Sequence, residues 1–337
     1  MCPAAIYGYS SAGKTVFLGL MYAAQVRYTN LDQGKTFRFW GNTASVRHMG
    51  GILTSMRRGL FPPANLKEDI TEIRFKFGYP RAMNKILPDY ITKQNWYHPF
   101  STISFAAYDV AGEDVEEYVE TGVTENRRVI QELLKSTIVV FIVDCSRFTT
   151  SNTGVQFEKM LDYDENGAVL LSALAAHKSQ DYANKTKAKM KATAPVVYPV
   201  IVLSKFDQIQ PEVLNKLGLP LTPPSADSTK ERVNYGETLL KQFLPQMLAL
   251  LKGNRLVNVN FDQTAYFFSW IQTEKVADMN VAGRPVVARD SQGDPIFSFD
   301  EYKAIIEYFR YLAEKAPDDV EEASAITLPE NTSTSPG

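Results

Sequence analysis

The segment "GYSSAGKT", Gly8 to Thr15, fits the pattern G-x-x-x-x-G-K-[ST] and lies between two apolar runs. The run before it, 4–7, has the length of a buried strand, and the run after it, 16–28, has the length of a helix. Glycines let a loop in this setting curl until its backbone N–H groups face an anion, and the N-terminus of the following helix adds partial positive charge. The segment is therefore predicted to be a phosphate-binding loop.

Two residues of this loop carry most of its expected chemistry. Lys14 would reach the β- and γ-phosphates of a nucleotide, and the hydroxyl of Thr15 would bind Mg²⁺. The other residues expected to contact the nucleotide here are Gly8, Ser10, Ser11, Ala12, Gly13 and Val16. A glycine turn without a ligand is the alternative, and the position between a strand and a helix counts against it.

The composition excludes several other classes of protein. The chain has 337 residues, 45% of them hydrophobic, so it can bury a full core. A formal net charge of −2 predicts neither nucleic acid nor an anionic membrane as a partner, and no run reaches the length of a membrane span. Two cysteines and three histidines form no disulfide framework and no metal-ligand spacing, which favours a reducing cytoplasm. Cys145 is most simply a small core residue.

Strand and helix candidates alternate along the chain. Residues 70–77 alternate apolar and charged side chains, which predicts a half-buried strand at an edge of the sheet, and a second strand follows at 102–108. The unbroken apolar runs 137–144 and 200–203 predict strands that are covered on both faces. This alternation predicts an α/β fold with a mostly parallel sheet and helices on both faces.

The remaining pattern predicts a single enlarged domain. A last strand is expected at 265–270, followed by a hairpin over 281–296, and helices are expected at 43–60, 123–135, 165–178, 236–252 and 300–315. We expect one domain over residues 1–316, with insertions at about 29–69, 78–100, 145–195 and 276–298. Residues 317–337 are acidic and then rich in Ser, Thr and Pro, which is typical of a disordered tail.

A second motif, "YDVAGED", begins at the end of the strand predicted at 102–108. Asp109 would stand at the carboxyl end of that strand, where a carboxylate can help to hold Mg²⁺. Gly112 would leave its N–H free to meet a γ-phosphate. The pattern D-x-x-G is weak alone, but its place after a strand makes it evidence for a nucleotide site.

A third motif, "SKFD", runs from Ser204 to Asp207 and ends the strand predicted at 200–203. The Asp207 carboxylate can accept hydrogen bonds from the ring N–H and the exocyclic amine of guanine, a donor pair that adenine lacks. The alkyl stem of Lys205 can cover the face of the base. The base is therefore predicted to be guanine; the alternative is a surface lysine and aspartate that cap a strand.

Taken together and in this order, "GYSSAGKT", "DVAGE" and "SKFD" make the chain resemble the Ras-like branch of the translation-factor-related P-loop GTPases. The resemblance covers the sheet framework and not the long inserts, and it extends loosely to divergent prokaryotic GTPases of the double-GTPase type. It implies a Ras-like G domain with a six-stranded sheet and one antiparallel edge strand. It also implies GTP or GDP and Mg²⁺ as ligands, two mobile switch segments, and slow hydrolysis that a partner accelerates.

The chain departs from the family pattern where hydrolysis takes place. Family members usually place a glutamine after the D-x-x-G glycine to orient the attacking water, whereas this chain has Glu113, an acceptor-only carboxylate near an anionic phosphate. Ser10 and Ser11 stand where relatives often have glycines, and their side chains would crowd the γ-phosphate. Slow unassisted turnover is the expected result, with Glu113, Gly112 and Lys14 as the catalytic residues.

The resemblance leaves the first switch unassigned. A threonine normally closes on Mg²⁺ there, and Thr71 is the nearest candidate, with Asn65 as its rival. Arg57 and Arg58 precede this segment and could supply a catalytic arginine, although a basic helix end is the simpler interpretation. In the last strand, Ser269 is a candidate for the loop that touches the guanine from the other side.

Three functions fit these patterns. The first is a Mg-dependent GTPase that acts as a molecular switch, with an unidentified protein effector or activator and a second copy of the chain as candidate partners. The second is a GTP-binding interaction or assembly protein without useful hydrolysis, which Glu113 and the two serines favour. The third is an ATP-using P-loop enzyme in which "SKFD" is a coincidence.

Overall fold

The apolar runs of the sequence form strands that are joined, for the most part, in parallel. The computed structural model describes residues 2–8, 11–31, 38–41, 43–62, 71–80, 100–109, 134–151, 153–188, 194–253, 255–256, 258–275 and 285–315. The strands are β1 (Cys2–Tyr7), β2 (Arg38–Gly41), β3 (Thr71–Pro80), β4 (Phe100–Asp109), β5 (Ile138–Asp144), β6 (Val196–Ser204), β7 (Arg255–Leu256), β8 (Val259–Phe261), β9 (Ala265–Phe268), β10 (Thr273–Lys275) and β11 (Pro285–Val287). The helices are α1 (Lys14–Leu31), α2 (Thr43–Arg57), α3 (Val155–Lys187), α4 (Pro211–Lys216), α5 (Thr229–Phe243), α6 (Pro245–Lys252) and α7 (Phe299–Lys315).

The main sheet brings the ends of five strands to one edge. Its order is β2-β3-β4-β1-β5-β6-β9, and β8 and β7 continue it beside the first residues of β6. Strands β4, β1, β5, β6 and β9 are parallel, so the loops that follow them lie at the same edge. The strand order reverses direction at β1, and in open α/β sheets ligands bind outside the carboxyl ends of the strands at such a point. The loop after β1 is therefore at the place where this fold binds ligands.

The central strands are covered on both faces. Every residue of β5 is buried, and so is every residue of β6 after Val196. Helix α1 contacts α2 and α7, helix α3 contacts α5 and α6, and helices lie on both sides of the sheet. The contact between α1 and α7 includes the rings of Phe17 and Tyr302, whose centroids are 5.6 Å apart. The predicted α/β fold with a mostly parallel sheet is confirmed.

The edge of the sheet differs from the prediction. Strand β2 pairs with β3 on the side away from β4, so the antiparallel strand β3 is second from the edge and not at the edge. The four residues of β2, "RFWG", are too few to show an alternating pattern, so no sequence pattern predicts this strand.

A helix predicted over 236–252 is in fact two helices, α5 and α6. The break falls at Leu244, which has φ −139° and ψ 56°, because the residue before a proline is disfavoured in the helical region and Pro245 follows. The buried carboxylate of Asp164 in α3 accepts hydrogen bonds of 2.9 Å from the backbone N–H groups of Gln246 and Met247, which caps the new helix start. Burial raises the pKa of the Asp164 carboxyl, and the two N–H donors oppose that shift.

Other boundaries also differ from the predicted ones. Helix α3 runs from Val155 to Lys187, beyond the predicted 165–178 at both ends. In the region of the predicted hairpin over 281–296, β11 pairs with the earlier strand β10, and Arg289 forms an isolated bridge with Pro295. The predicted helix over 123–135 lies outside the described residues except at its end, and the tail 317–337 lies wholly outside them. Among the helices that the structure describes, none is long and apolar enough to cross a membrane.

A buried ion pair joins α5 to α7. The guanidinium of Arg232 pairs with the carboxylate of Glu301, donates to the carbonyl of Tyr266 at 3.0 Å and lies 4.8 Å from the ring centroid of Phe268. Oε2 of Glu301 also accepts from the backbone N–H of Phe268 at 2.9 Å. Both charges are therefore hydrogen-bonded, as burial requires.

The contact between α5 and β9 predicts a sharp difference between two glycines. A Cβ at Gly236 would lie 2.1 Å from Cδ1 of the buried Tyr266 ring, whereas a Cβ at Gly51 in α2 would meet nothing within 4 Å. We expect Gly236→Ala to lower the free energy of unfolding by about 2 kcal/mol through overpacking. Gly51→Ala should raise it by about 0.5–1 kcal/mol because alanine loses less entropy in a helix. Urea denaturation measures both, and equal shifts in the two variants would contradict the described packing.

Candidate nucleotide site

The phosphate-loop motif lies directly after β1 and leads into α1, as predicted. Gly8 is buried, and a Cβ there would lie 2.9 Å from the backbone oxygen of Ile142 in β5, so only glycine fits this position. Gly13 has φ 92°, a conformation that favours glycine. Local geometry thus favours glycine at both glycine positions of the pattern, before any ligand is considered.

Lys14 closes the loop on itself. Its side chain is 8% exposed, and Nζ donates to the backbone oxygen of Gly8 at 2.6 Å. The ammonium therefore lies across the loop, in the region where a phosphate would be held. Thr15 and Val16 follow in the first turn of α1, both half-buried.

Of the two serines in the loop, the structure describes only Ser11. Ser11 is exposed and has φ 61°, in the left-handed region that a residue with a Cβ adopts at a cost. Ala12, which follows it, is fully buried. Ser10 lies outside the described residues.

Ser204 connects the first and third motifs. Its Oγ is 2.7 Å from the backbone oxygen of Ala12 in the loop and 3.0 Å from that of Val143 in β5. A hydroxyl has one hydrogen, so it donates to one of these oxygens at a time. This contact brings "GYSSAGKT" and "SKFD" together at the carboxyl edge of the sheet, where the sequence placed them.

The three residues after Ser204 have different surroundings. Lys205 has φ 51°, and Phe206 turns into the core, with its ring centroid 5.0 Å from that of Phe268. Asp207 is exposed to solvent, yet the protein surrounding its carboxyl raises its pKa, while its own backbone N–H and the Lys205 ammonium oppose the shift. A carboxylate in this setting is favoured by donors that a ligand could supply.

Asp144, at the end of β5, lies close to two cationic side chains, those of Lys205 and Arg147. Its carboxylate is 6% exposed, and Oδ2 accepts from Nζ of Lys205 at 2.7 Å and lies 3.6 Å from Nε of Arg147. Oδ1 accepts from the backbone N–H and the hydroxyl of Ser146 at 3.1 Å and 2.6 Å. Parallel pairing of β5 with β6 places Asp144 opposite Ser204, so this carboxylate belongs to the same edge as the motifs.

Neither Asp144 nor Arg147 belongs to a motif that is visible in the sequence. Their signal was a carboxylate that ends a buried strand, followed three residues later by an arginine, and this signal becomes informative only once β5 is known to pair with β6. Cys145, which lies between them, is 0% exposed, and burial raises the pKa of its thiol, so the prediction of a small core residue is confirmed.

Ser269 lies beside the third motif but uses its side chain elsewhere. Its backbone N–H donates to Leu203 at 2.8 Å and its carbonyl accepts from the N–H of Phe206 at 3.0 Å. Its hydroxyl shares a hydrogen bond of 2.7 Å with the hydroxyl of Tyr302 in the core. A contact of Ser269 with a guanine stays a prediction.

The structure describes only Tyr108 and Asp109 of the second motif. Asp109 ends β4 and pairs with Thr71, the first residue of β3. Strands β1 and β4 pair in parallel, with Ala4 opposite Phe105, and continuing this register places Asp109 level with Gly8. Asp109 and Thr71 therefore stand at the same edge as the loop by their backbone positions. Gly112, Glu113 and Asn65 lie outside the described residues.

Arg57, the last residue of α2, takes part in an ion pair, and Arg58, which follows it, is exposed. Nε of Arg57 is 2.6 Å from Oδ1 of Asp294, and the carbonyl of Arg57 accepts from Arg289 at 3.2 Å. Arg58 is exposed. These contacts favour the interpretation of a basic helix end over that of a catalytic arginine.

The structure describes no group of three or more His, Cys, Asp or Glu side chains that could hold a metal ion, within the ranges given above. A magnesium ion at this edge would instead use the oxygen atoms of Thr15 and Asp109 together with phosphate, and oxygen is the ligand that Mg²⁺ prefers.

Comparison with known proteins gives a weak likeness. No protein-family model and no curated protein sequence matches the chain. Among solved structures, the chain is similar to one described as the signal recognition particle receptor SRb-GTP/SRX complex from Chaetomium thermophilum. The two are 10% identical with a TM-score of 0.30, and the match covers 79% of this chain and 93% of that chain. At so low a TM-score the likeness assigns no function.

The backbone of Ser11 predicts a gain in stability from glycine. Because a Cβ is disfavoured at φ 61°, we expect Ser11→Gly to raise the free energy of unfolding by about 1 kcal/mol. The matched control is Gly218→Ala, where φ is 68° and a Cβ would meet nothing within 4 Å, so that only the backbone cost remains. That variant should lose about 1 kcal/mol. Thermal and urea unfolding test both, and destabilisation by Ser11→Gly would show that the Ser11 side chain outweighs the backbone cost.

Proposed function

We propose that the chain is a Ras-like P-loop protein that binds GTP and GDP with Mg²⁺ and hydrolyses GTP slowly. The observation that carries this proposal is the hydrogen bond from Ser204 to Ala12, because it joins a candidate base site to a candidate phosphate site across 192 positions of sequence. The parallel sheet brings both turns to one edge, and this hydrogen bond fixes them side by side at the separation that one ligand could span. The sheet order β3-β4-β1-β5-β6-β9, with β3 alone antiparallel among these strands, also supports a G-domain framework.

Under this proposal the loop 8–15 and the N-terminus of α1 hold the phosphate chain. Lys14 would exchange the neutral carbonyl of Gly8 for a phosphate oxygen, since a charge-assisted hydrogen bond is the stronger of the two. Thr15 and Asp109 would hold Mg²⁺, which neutralises phosphate charge when bound. Glu113 and Gly112 keep their proposed roles beside the γ-phosphate, with Glu113 a poor substitute for glutamine in orienting water.

The guanine would lie against the turn 204–207. Asp207 would accept from the two N–H donors of guanine, and those donors would compensate the burial that raises its pKa in the free protein. Lys205, fixed by its ion pair with Asp144, would place its alkyl stem over the base. Recognition would then depend on the Asp207 carboxylate, whose neighbour in the chain, Phe206, is buried in the core.

Base selectivity tests the proposal directly. Asp207→Asn replaces one acceptor oxygen by an amine that faces the donors of guanine, so we expect GTP affinity to fall by about 100-fold, with ATP affinity unchanged. Calorimetric titration of wild type and variant with GTP and ATP measures this. Asp227→Asn, which removes the same charge from an exposed position, is the matched control and should bind like wild type. Lys14→Ala should weaken both nucleotides, and unchanged selectivity in Asp207→Asn would remove the case for guanine.

Turnover separates the switch from the assembly protein. We expect the purified chain with Mg²⁺ to release phosphate from GTP at about 10⁻⁴ s⁻¹ or more slowly, because the water-orienting glutamine is replaced by Glu113. A phosphate-release assay measures this rate, and Lys14→Ala provides the inactive control. If release equals that of Lys14→Ala both alone and with candidate protein activators, the chain holds GTP without useful hydrolysis and the GTPase part of the proposal fails.

A further inference from the structure

Arg147 lies beside the phosphate loop but belongs to none of the three motifs. It is in the short helical turn Cys145–Arg147 after β5, and its side chain is 14% exposed. Its Nη2 donates to the hydroxyl of Ser11 at 3.4 Å, and its Nε lies 3.6 Å from Oδ2 of Asp144. The guanidinium is thus held between the carboxyl end of β5 and the loop after β1.

We propose that Arg147 binds the part of the phosphate chain that GDP and GTP share. This inference rests on the proposed function, because it concerns the same nucleotide. The loop residues upstream of the lysine in such motifs surround the α- and β-phosphates, whereas the lysine reaches the β- and γ-phosphates. Arg147 contacts Ser11, which is three residues upstream of Lys14 in the part of the loop whose backbone N–H groups would surround the α- and β-phosphates. The Ser11 hydroxyl, which the sequence pattern predicted to crowd the γ-phosphate, instead faces Arg147, and we therefore place the guanidinium at the α- and β-phosphates.

The contact of Nη2 with Ser11 is a weak one. The hydroxyl of Ser11 is a neutral acceptor at 3.4 Å, at the long limit of a hydrogen bond. A phosphate oxygen is charged, and hydrogen bonds from arginine to phosphate are shorter and roughly twice as strong as neutral ones. The planar guanidinium also matches the geometry of phosphate oxygens. A nucleotide in the loop would therefore replace Ser11 as the partner of Arg147.

Asp144 acts in this arrangement as a positioning residue. It is 6% exposed and it contacts both Lys205 and Arg147, so one carboxylate sets the cation expected over the base and the cation expected at the phosphates. Because Nε of Arg147 faces Asp144 while Nη2 faces the loop, the side chain keeps its anchor when its loop-side partner changes. A lysine at this position has a single nitrogen and cannot make both contacts in the same way.

The experiment compares ligands with and without phosphates. Guanosine, GDP and GTP displace a fluorescent GDP analogue from wild type, Arg147→Ala and Arg147→Lys, and kcat for GTP is measured in parallel. We expect Arg147→Ala to weaken GDP and GTP by the same factor, about tenfold or more, with guanosine affinity and kcat unchanged. Arg147→Lys should lie between Arg147→Ala and wild type. Lys252→Ala, which removes a positive charge from the ion pair with Glu237 in α5, is the control and should leave all affinities unchanged.

Three results would overturn the inference. Unchanged GDP and GTP affinities in Arg147→Ala would limit Arg147 to contacts within the protein, such as those with Asp144 and Ser11. Equal weakening of guanosine, GDP and GTP would indicate a structural role that acts through the fold. Weakening of GTP alone, or a fall in kcat with GDP affinity unchanged, would make Arg147 a γ-phosphate or catalytic residue. Wild-type protein that binds none of these nucleotides would refute the proposed function itself, which is a separate result.

Discussion

The hydroxyl of Ser204 fixes the distance between the two parts of the candidate site. Parallel strands bring their carboxyl ends to one edge of a sheet, but this arrangement alone does not set how the loops beyond them stand relative to one another. Ser204 ends β6, and its Oγ lies 2.7 Å from the oxygen of Ala12 after β1 and 3.0 Å from that of Val143 in β5. A single buried side chain therefore joins three strands at the point where a nucleotide would bridge them.

The motifs that come directly after a buried apolar run could be predicted from the sequence. An apolar run predicts where a strand ends, and both "GYSSAGKT" and "SKFD" begin where such a run stops. The structure adds why the first glycine is needed, since Gly8 lies against the carbonyl of Ile142 in β5. Asp109 reaches the same edge by register, and the sheet is mostly parallel, as the unbroken runs indicated.

The parts that depend on contacts distant in sequence could not be predicted in this way. Asp144 accepts a hydrogen bond from Lys205, 61 residues later, and Arg147 donates one to Ser11, 136 residues earlier. The break before Pro245 had a local signal, but its stabilisation comes from Asp164 in another helix. Local sequence patterns predict secondary structure. The roles of these side chains depend instead on neighbours that are distant in sequence and that come close only in the folded protein.

The pairing of Arg232 with Glu301 has a consequence for how the chain is made. Arg232 is 4% exposed, and its carboxylate partner lies in α7, which follows in the chain all the strands that the structure describes. A buried guanidinium that lacks its carboxylate is strongly destabilising. Glu301 also accepts from the backbone of Phe268, so the end of β9 stays unsecured until the same residue has emerged. The end of β9 therefore reaches its native set of hydrogen bonds only once α7 has been made, later than the strands that precede it in the chain.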